Sequence, residues 1–282
     1  MQLKKAQKKQ VKLKMGISGA SGFGKTYSAL LLAYGITGSW DKIAVIDTEN
    51  ESASLYSDLG DYNVLPINAP YSPERYIEAI NTCVDANMEV VIIDSMTHEW
   101  DGEGGCLDIQ SKLGGRYQDW AKVTPRHNAF IQKILQSPIH VITTARRKQD
   151  YALTNDSSGK LKVEKAGTKE VTREGYEYEL TLNFELINDQ HLAKASKDRT
   201  GLFMNEAEFI ITPETGKTLL NWANSGEDNN TKVITLLKQA KSREELEKIV
   251  EENPVTIREP QVTEVLKEMG KKYPKELNKT SK

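Results

Sequence analysis

Cysteine is almost missing from this 282-residue chain, and the two present, Cys83 and Cys106, form no CxxC pair. That excludes a disulfide scaffold and fits a reducing compartment. Long apolar runs are missing as well. The longest, Ala29 to Tyr34, is far short of the ~20 residues a membrane span needs. Met1 to Lys14 carries six lysines and no apolar stretch, which argues against a secretory signal. The expectation is a cytoplasmic protein without a membrane partner. Neither sign of charge dominates, since 38 Lys+Arg face 40 Asp+Glu for a net charge of -2. This average covers uneven regions and excludes no class of partner. With 38% hydrophobic residues and 19 glycines, the composition sits at the low edge of globular proteins, and disorder along the whole chain is excluded. Length allows one large domain, or a core with a small appendage.

What is present falls into three regions. Residues 1–11 form an arm whose charge continues to Lys14: Lys4, Lys5, Lys8, Lys9, Lys12 and Lys14 with no acid among them. It reads either as a solvated terminus or as a phosphate-contacting segment. Residues 12–224 read as an α/β core. Val11, Leu13, Met15 and Ile17 alternate as in a strand. Lys42 to Asp47 and Glu89 to Asp94 are short apolar strands that each end in aspartate, and Ile139 to Ala145 is a further strand. Thr26 to Tyr34, Pro73 to Ala86 and Val123 to Gln136 have helical patterns. Strands separated by helical crossovers predict a mostly parallel central sheet covered by helices. Thr181 to Ile187 and His191 to Ala195, joined at Asn188-Asp189, predict a hairpin on its edge. Residues 225–282 make a linker, a helical appendage and a basic tail. In the appendage Ser242 to Glu245 is a capping box, and a further helix is expected over Gln261 to Lys271.

The strongest local signal is Gly19-Ala20-Ser21-Gly22-Phe23-Gly24-Lys25-Thr26, which satisfies G-x-x-x-x-G-K-[ST] between a strand and a helix. Glycines let backbone N–H groups converge on phosphate at a helix N-terminus, whose dipole favours anions. Gly19 through Tyr27 is therefore the expected nucleotide-binding segment. Lys25 is placed to bridge the β- and γ-phosphates, and the Thr26 hydroxyl to bind Mg²⁺. Asp94, ending the Val90 to Ile93 run, is the expected second acid of the Mg²⁺ site, acting through water. Glu49, just past the Asp47 strand, is the candidate to activate water, while Asp47 braces its loop. The spacing GxxGxG excludes a dinucleotide fingerprint. A guanine-binding NKxD is absent, because Asn278-Lys279-Thr280-Ser281 lacks the aspartate. An LSGGQ-type signature is absent too. Arg146-Arg147 leaves a small-molecule kinase open, as an imitation of a lid.

Five further segments occur in fixed order: Asp47-Thr-Glu-Asn-Glu-Ser-Ala-Ser-Leu-Tyr56, Asp94-Ser-Met-Thr-His-Glu-Trp100, Thr143-Thr-Ala-Arg-Arg-Lys148, Gly175-Tyr-Glu-Tyr-Glu179 and Lys197-Asp-Arg-Thr-Gly201. Over Lys12 to Trp222 the chain resembles the phage-encoded RecA-like P-loop ATPases of the RecA/RadA superfamily, of the single-strand recombinase and annealing type. The resemblance implies ATP and Mg²⁺ as cofactors, hydrolysis to ADP and phosphate, single-stranded DNA as partner, and head-to-tail self-assembly as a ring or filament. It also implies a role in recombination, annealing or replication. Glu49 then matches the catalytic glutamate. Thr144 matches a polar sensor, where relatives often carry glutamine. Lys197 and Arg199 match cations that reach a neighbour's γ-phosphate, where positive charge stabilises the transition state.

Two segments match the DNA-contacting loops in position, Asp101 to Asp119 and Arg146 to Arg173. The first is glycine-rich, with Arg116 and Tyr117. The second holds eight basic residues against four acids, among them Arg146, Arg147, Lys148, Lys160 and Lys162, with Tyr151 as a stacking surface. His98, His127, His140 and His191 show no metal-ligand spacing and read as structural, as do Trp100 and Trp120. Two other readings remain open at this stage: an ATP-dependent switch or loader that recruits a single-strand-binding or replication protein with little hydrolysis, and the small-molecule kinase.

Overall fold

A computed structural model of the chain describes residues 9–155, 161–226, 229–254 and 256–274, with the side chains of 151–166 and 229 outside the description. Lys4, Lys5 and Lys8 of the arm, Glu227 and Asp228 of the linker, and the basic tail from residue 275 also lie outside the described residues. Among those described, no helix is long and apolar enough to cross a membrane.

In chain order the elements begin with strand β1 (Lys14–Gly19), helix α1 (Lys25–Thr37), β2 (Ile43–Asp47), β3 (Asn63–Pro66), α2 (Pro73–Asp85), β4 (Val90–Asp94), α3 (Thr97–Asp101), α4 (Cys106–Lys112) and α5 (Trp120–Gln136). Then come β5 (His140–Asn155), β6 (Leu161–Glu170), α6 (Tyr176–Glu179), β7 (Leu182–Leu186), β8 (Leu192–Asp198), β9 (Phe209–Ile210) and α7 (Pro213–Asn224). The last are α8 (Asn229–Gln239), α9 (Arg243–Glu252) and α10 (Pro260–Lys272). The sheet order is β3-β2-β4-β5-β1-β7-β8-β9. Contacts from β3 through β7 are parallel, and β8 and β9 add antiparallel strands at one edge. This is the mostly parallel α/β sheet that the alternating strand and helix patterns predict.

The described residues of Lys12–Asn221 form one compact unit, and those of Met1–Val11 with Trp222–Lys282 form another. In the first unit β1, β2 and β4 are buried along their whole length, as strands covered on both faces must be. On one face Tyr76 of α2 packs on Phe130 of α5, ring centroids 5.1 Å apart, over Ile46, Ile93 and Val141. On the α1 side, the approach to α7 is too close for side chains. A Cβ at Gly35 would lie 1.9 Å from the carbonyl oxygen of Pro213, and one at Gly216 would lie 2.3 Å from that of Leu32. In the second unit α8, α9 and α10 bury a small cluster of their own, including Val233, Leu237, Leu246 and Val262. Ser242 caps α9 by accepting from the Glu245 N–H at 3.2 Å.

Three expectations need correction. The segment after β4, read as an unstructured glycine-rich loop, is largely helical, with α3, α4 and a 3-10 turn at Tyr117–Asp119. The segment from Arg146 to Arg173 is not a structureless loop either: β5 runs on to Asn155 and pairs antiparallel with β6. Its polar residues hide a strand because backbone pairing between two segments needs no apolar alternation. Lys14, counted with the basic arm, is buried inside β1. Its Nζ donates to the carbonyls of Ser137 (2.7 Å) and Ile139 (2.6 Å). Loss of hydration, with Lys12 nearby, lowers its pKa to about 7.

Candidate nucleotide site

The sheet order puts the ends of β1, β2, β4 and β5 together, and a cleft of about 350 Å³ opens over them. The loop between β1 and α1 forms its floor. Gly22 and Gly24 have φ of 83° and 84°, in the left-handed region that side chains disfavour. A Cβ at Gly22 would meet nothing, so that peptide faces open space, whereas one at Gly24 would lie 2.4 Å from His191 Nδ1. The Lys25 ammonium donates to the Ala20 carbonyl at 2.9 Å. Burial lowers its pKa, and Asp94 and Glu49 oppose that shift.

Asp94 is the hub of the site. Its register partner on β2 is Asp47, and Ile93 pairs with Thr143 on β5, so Thr144 sits beside it. The carboxylate accepts from the Thr26 hydroxyl through Oδ2 and from the Thr144 hydroxyl through Oδ1, both at 2.5 Å. Burial raises its pKa. The two threonine bonds pull the other way, and Glu49 and Asp47 add to the rise. A fully buried carboxylate bound to a hydroxyl, with a second carboxylate close by, is a hard-oxygen donor set, which suits Mg²⁺. Thr26 and Asp94 would hold the ion, and it would supply charge neutralisation for the phosphates.

Glu49 stands at the mouth. Asp47 shapes its loop by accepting from the N–H groups of Glu49 and Ala53, both at 2.7 Å. Asn50 and Glu51, with φ of 56° and 61°, turn the chain back. One Glu49 carboxylate oxygen accepts from the Ser95 hydroxyl at 2.9 Å, and the other accepts from the Arg146 guanidinium. Glu49 is thus a carboxylate held from two sides at the lip of the cleft.

Thr144 is fully buried and touches Asp94, so it aligns the acid instead of facing the cleft. Lys197 and Arg199 do not line the chain's own cleft. Both donate to the Tyr178 carbonyl, Arg199 at 2.7 Å. Among the residues assigned to DNA, Arg146 joins the cleft. Arg147 is turned inward, 3.3 Å from Glu185 and 3.6 Å from Glu170, and it donates to the Thr168 carbonyl at 2.6 Å. Lys148 is exposed. Arg116 is exposed and lies 3.7 Å from Asp119. Lys160 and the side chains of Tyr151 and Lys162 lie outside the described residues.

Several site residues escape a sequence reading. Thr48 and Ser95 directly follow the two strand-end aspartates, and that adjacency was their one signal. The Ser95 N–H donates to the Thr48 hydroxyl at 2.9 Å, and His98 Nδ1 lies 2.9 Å from the same oxygen. Ser52 and Tyr56 line the cleft, with the Tyr56 ring 5.9 Å from that of Tyr27. His191 had no local signal. It follows a turn in which the Asn188 side chain accepts from the N–H of Gln190 and of Leu192, and its Nδ1–H donates to the Phe23 carbonyl at 2.8 Å. Trp100 and Trp120 stack on each other, centroids 5.5 Å apart.

Residues 11–209 match the family described as AAA domain. That span exceeds half of the chain, and the protein belongs to this family of P-loop nucleoside triphosphatases. No curated protein matches the sequence.

Proposed function

From that membership, we propose that the protein is an Mg-ATP-dependent, RecA-like ATPase that assembles head to tail and couples hydrolysis to holding single-stranded DNA, in phage recombination, annealing or replication. Gly22, Gly24, Lys25 and Thr26 cradle the phosphates, with the backbone from Gly19 to Tyr27 around them. Glu49 takes the proton of the attacking water. Lys197 and Arg199, outside their own chain's cleft, complete the site of the next copy.

One observation carries the reading: the same guanidinium, Arg146, touches Glu49 and opens the basic ribbon of β5 and β6. A polyanion drawn to the ribbon competes with Glu49 for that cation, so strand binding and water activation share a residue. Phosphate release from ATP, measured with and without a single-stranded oligonucleotide, tests it. Several-fold stimulation by the oligonucleotide is expected. Tight nucleotide binding with negligible turnover and no response to DNA would instead favour a switch or loader, and phosphate delivered to a metabolite would favour a kinase.

A further inference from the structure

Three side chains of unlike chemistry converge behind β4, and none of them lines the nucleotide cleft. Glu99 comes from α3, Cys106 from the first residue of α4, and His127 from α5. All three are buried, at 0%, 0% and 3% exposure. Cys106 Sγ lies 3.1 Å from Glu99 Oε1, and His127 Nδ1 lies 3.1 Å from both carboxylate oxygens. One donor atom from each residue falls within 4.8 Å of the other two.

The backbone is built to bring them together. The Gly102 N–H donates to the His98 carbonyl and the Gly105 N–H to the Gly102 carbonyl, both at 2.9 Å. A Cβ at Gly105 would lie 2.6 Å from the His98 carbonyl oxygen and 2.7 Å from that of Glu99. Only a glycine lets the chain fold so closely onto the end of α3 and set Cys106 against Glu99. The Trp100 ring meets the His127 ring edge-on at 5.5 Å and closes one side.

A carboxylate with no exposure needs a compensating charge. The nearby Arg126 is committed to Glu74 by two bonds of 2.7 Å, a thiol is a weak donor, and the charge is supplied either by a protonated His127, with Arg173 in the vicinity, or by a bound cation. We propose that Glu99, Cys106 and His127 hold a zinc ion. A thiolate, an imidazole and a carboxylate form a donor set that suits Zn²⁺ and not the hard ions Mg²⁺ or Ca²⁺. Around a tetrahedral zinc with bonds of about 2.0–2.3 Å, ligand atoms stand about 3.4–3.6 Å apart. The two 3.1 Å separations from Glu99 need open by only a few tenths of an ångström, and Cys106 Sγ and His127 Nδ1 lie within 4.8 Å of each other. With the thiol proton released to solvent, the thiolate and carboxylate balance the two charges of the metal, and the buried cluster becomes neutral. The ion ties α3, α4 and α5 together directly after the strand that carries Asp94, and leaves a fourth position for water.

The test uses untagged, full-length protein grown with added zinc, desalted, and analysed for metal by mass spectrometry. About one zinc per chain is expected, retained in the presence of Mg-ATP. Cys106→Ser and His127→Gln should each lose it, and Cys83→Ala should keep it. Cobalt substituted into wild-type protein should give a thiolate-to-cobalt charge-transfer band and the visible bands of tetrahedral coordination. This spectrum decides the matter even if a variant fails to fold. Wild-type protein with no more than a trace of zinc and no cobalt bands overturns the proposal and leaves a His127–Glu99 ion pair. Zinc retained in both ligand variants overturns it as well, because the metal then sits elsewhere.

Discussion

Arg146 donates from its guanidinium to the Glu49 carboxylate, across 97 positions of sequence, at the point where β5 passes the end of β1. The pair holds the carboxylate in place and occupies one of its oxygens. Removing the arginine should leave Glu49 held by Ser95 alone, with one oxygen free to meet water. Arg146→Ala is expected to raise DNA-independent ATP turnover several-fold and to flatten the response to single-stranded DNA. Steady-state phosphate release at a series of oligonucleotide concentrations reads both effects, and an unchanged stimulation ratio would show that the pair has no part in coupling.

In the proposed role Lys25 would contribute a charge-assisted contact to phosphate, of roughly 1.5–3 kcal/mol. Lys25→Ala should weaken nucleotide binding by about one to two decades, as titration calorimetry with a non-hydrolysable analogue can measure. Equal affinity in the two proteins would refute the phosphate assignment.

Glu49→Gln keeps the shape and the Ser95 contact but cannot accept a proton. ATP affinity should stay within a few-fold, while turnover falls by about 10²–10⁴. Near-normal single-turnover hydrolysis would remove Glu49 as the base.

Lys197 and Arg199 lie on the Tyr178 carbonyl and away from their own cleft. If they serve the next copy, inactive Arg199→Ala protein mixed with inactive Lys25→Ala protein should regain part of the hydrolysis at mixed interfaces. No recovery at concentrations where light scattering shows assembly would count against a shared site.

His140 is buried at the start of β5, where its Nδ1 accepts from the Leu13 N–H at 3.1 Å. Burial, with Lys12 and Lys14 nearby, depresses its pKa from 6.5 to about 3. The folded state therefore refuses a proton that the unfolded state takes up between pH 6.5 and about 3. Stability is unaffected by this group above pH 6.5 and falls as pH drops through that window, by up to about 1.4 kcal/mol per unit. Urea titrations from pH 7 to pH 4 should show a shallower acid slope for His140→Gln, even if that variant is less stable at pH 7.

The phosphate loop and the two aspartate-ended strands were legible because each is a local signal. Glycines at positions 22 and 24 suit a left-handed backbone, and the β-branched run Val90 to Ile93 favours a buried strand. The ribbon of β5 and β6 was not legible, because its stability comes from pairing between two polar segments. Arg147 read as free for DNA, since its carboxylate partners Glu170 and Glu185 are remote in sequence.

The amino-acid sequence alone thus determined the α/β class, the anion-binding turn and the acids available at the strand ends, all properties of a few consecutive residues. Tertiary structure decided which of these groups meet. Strand order and register set Asp94 between Thr26 and Thr144, brought His191 to the Phe23 carbonyl, and closed Glu99, Cys106 and His127 into one buried cluster. The physical reason is that parallel strands pair through long crossovers. Packing of whole helices on the sheet fixes their neighbours, and no local pattern in the chain records that choice.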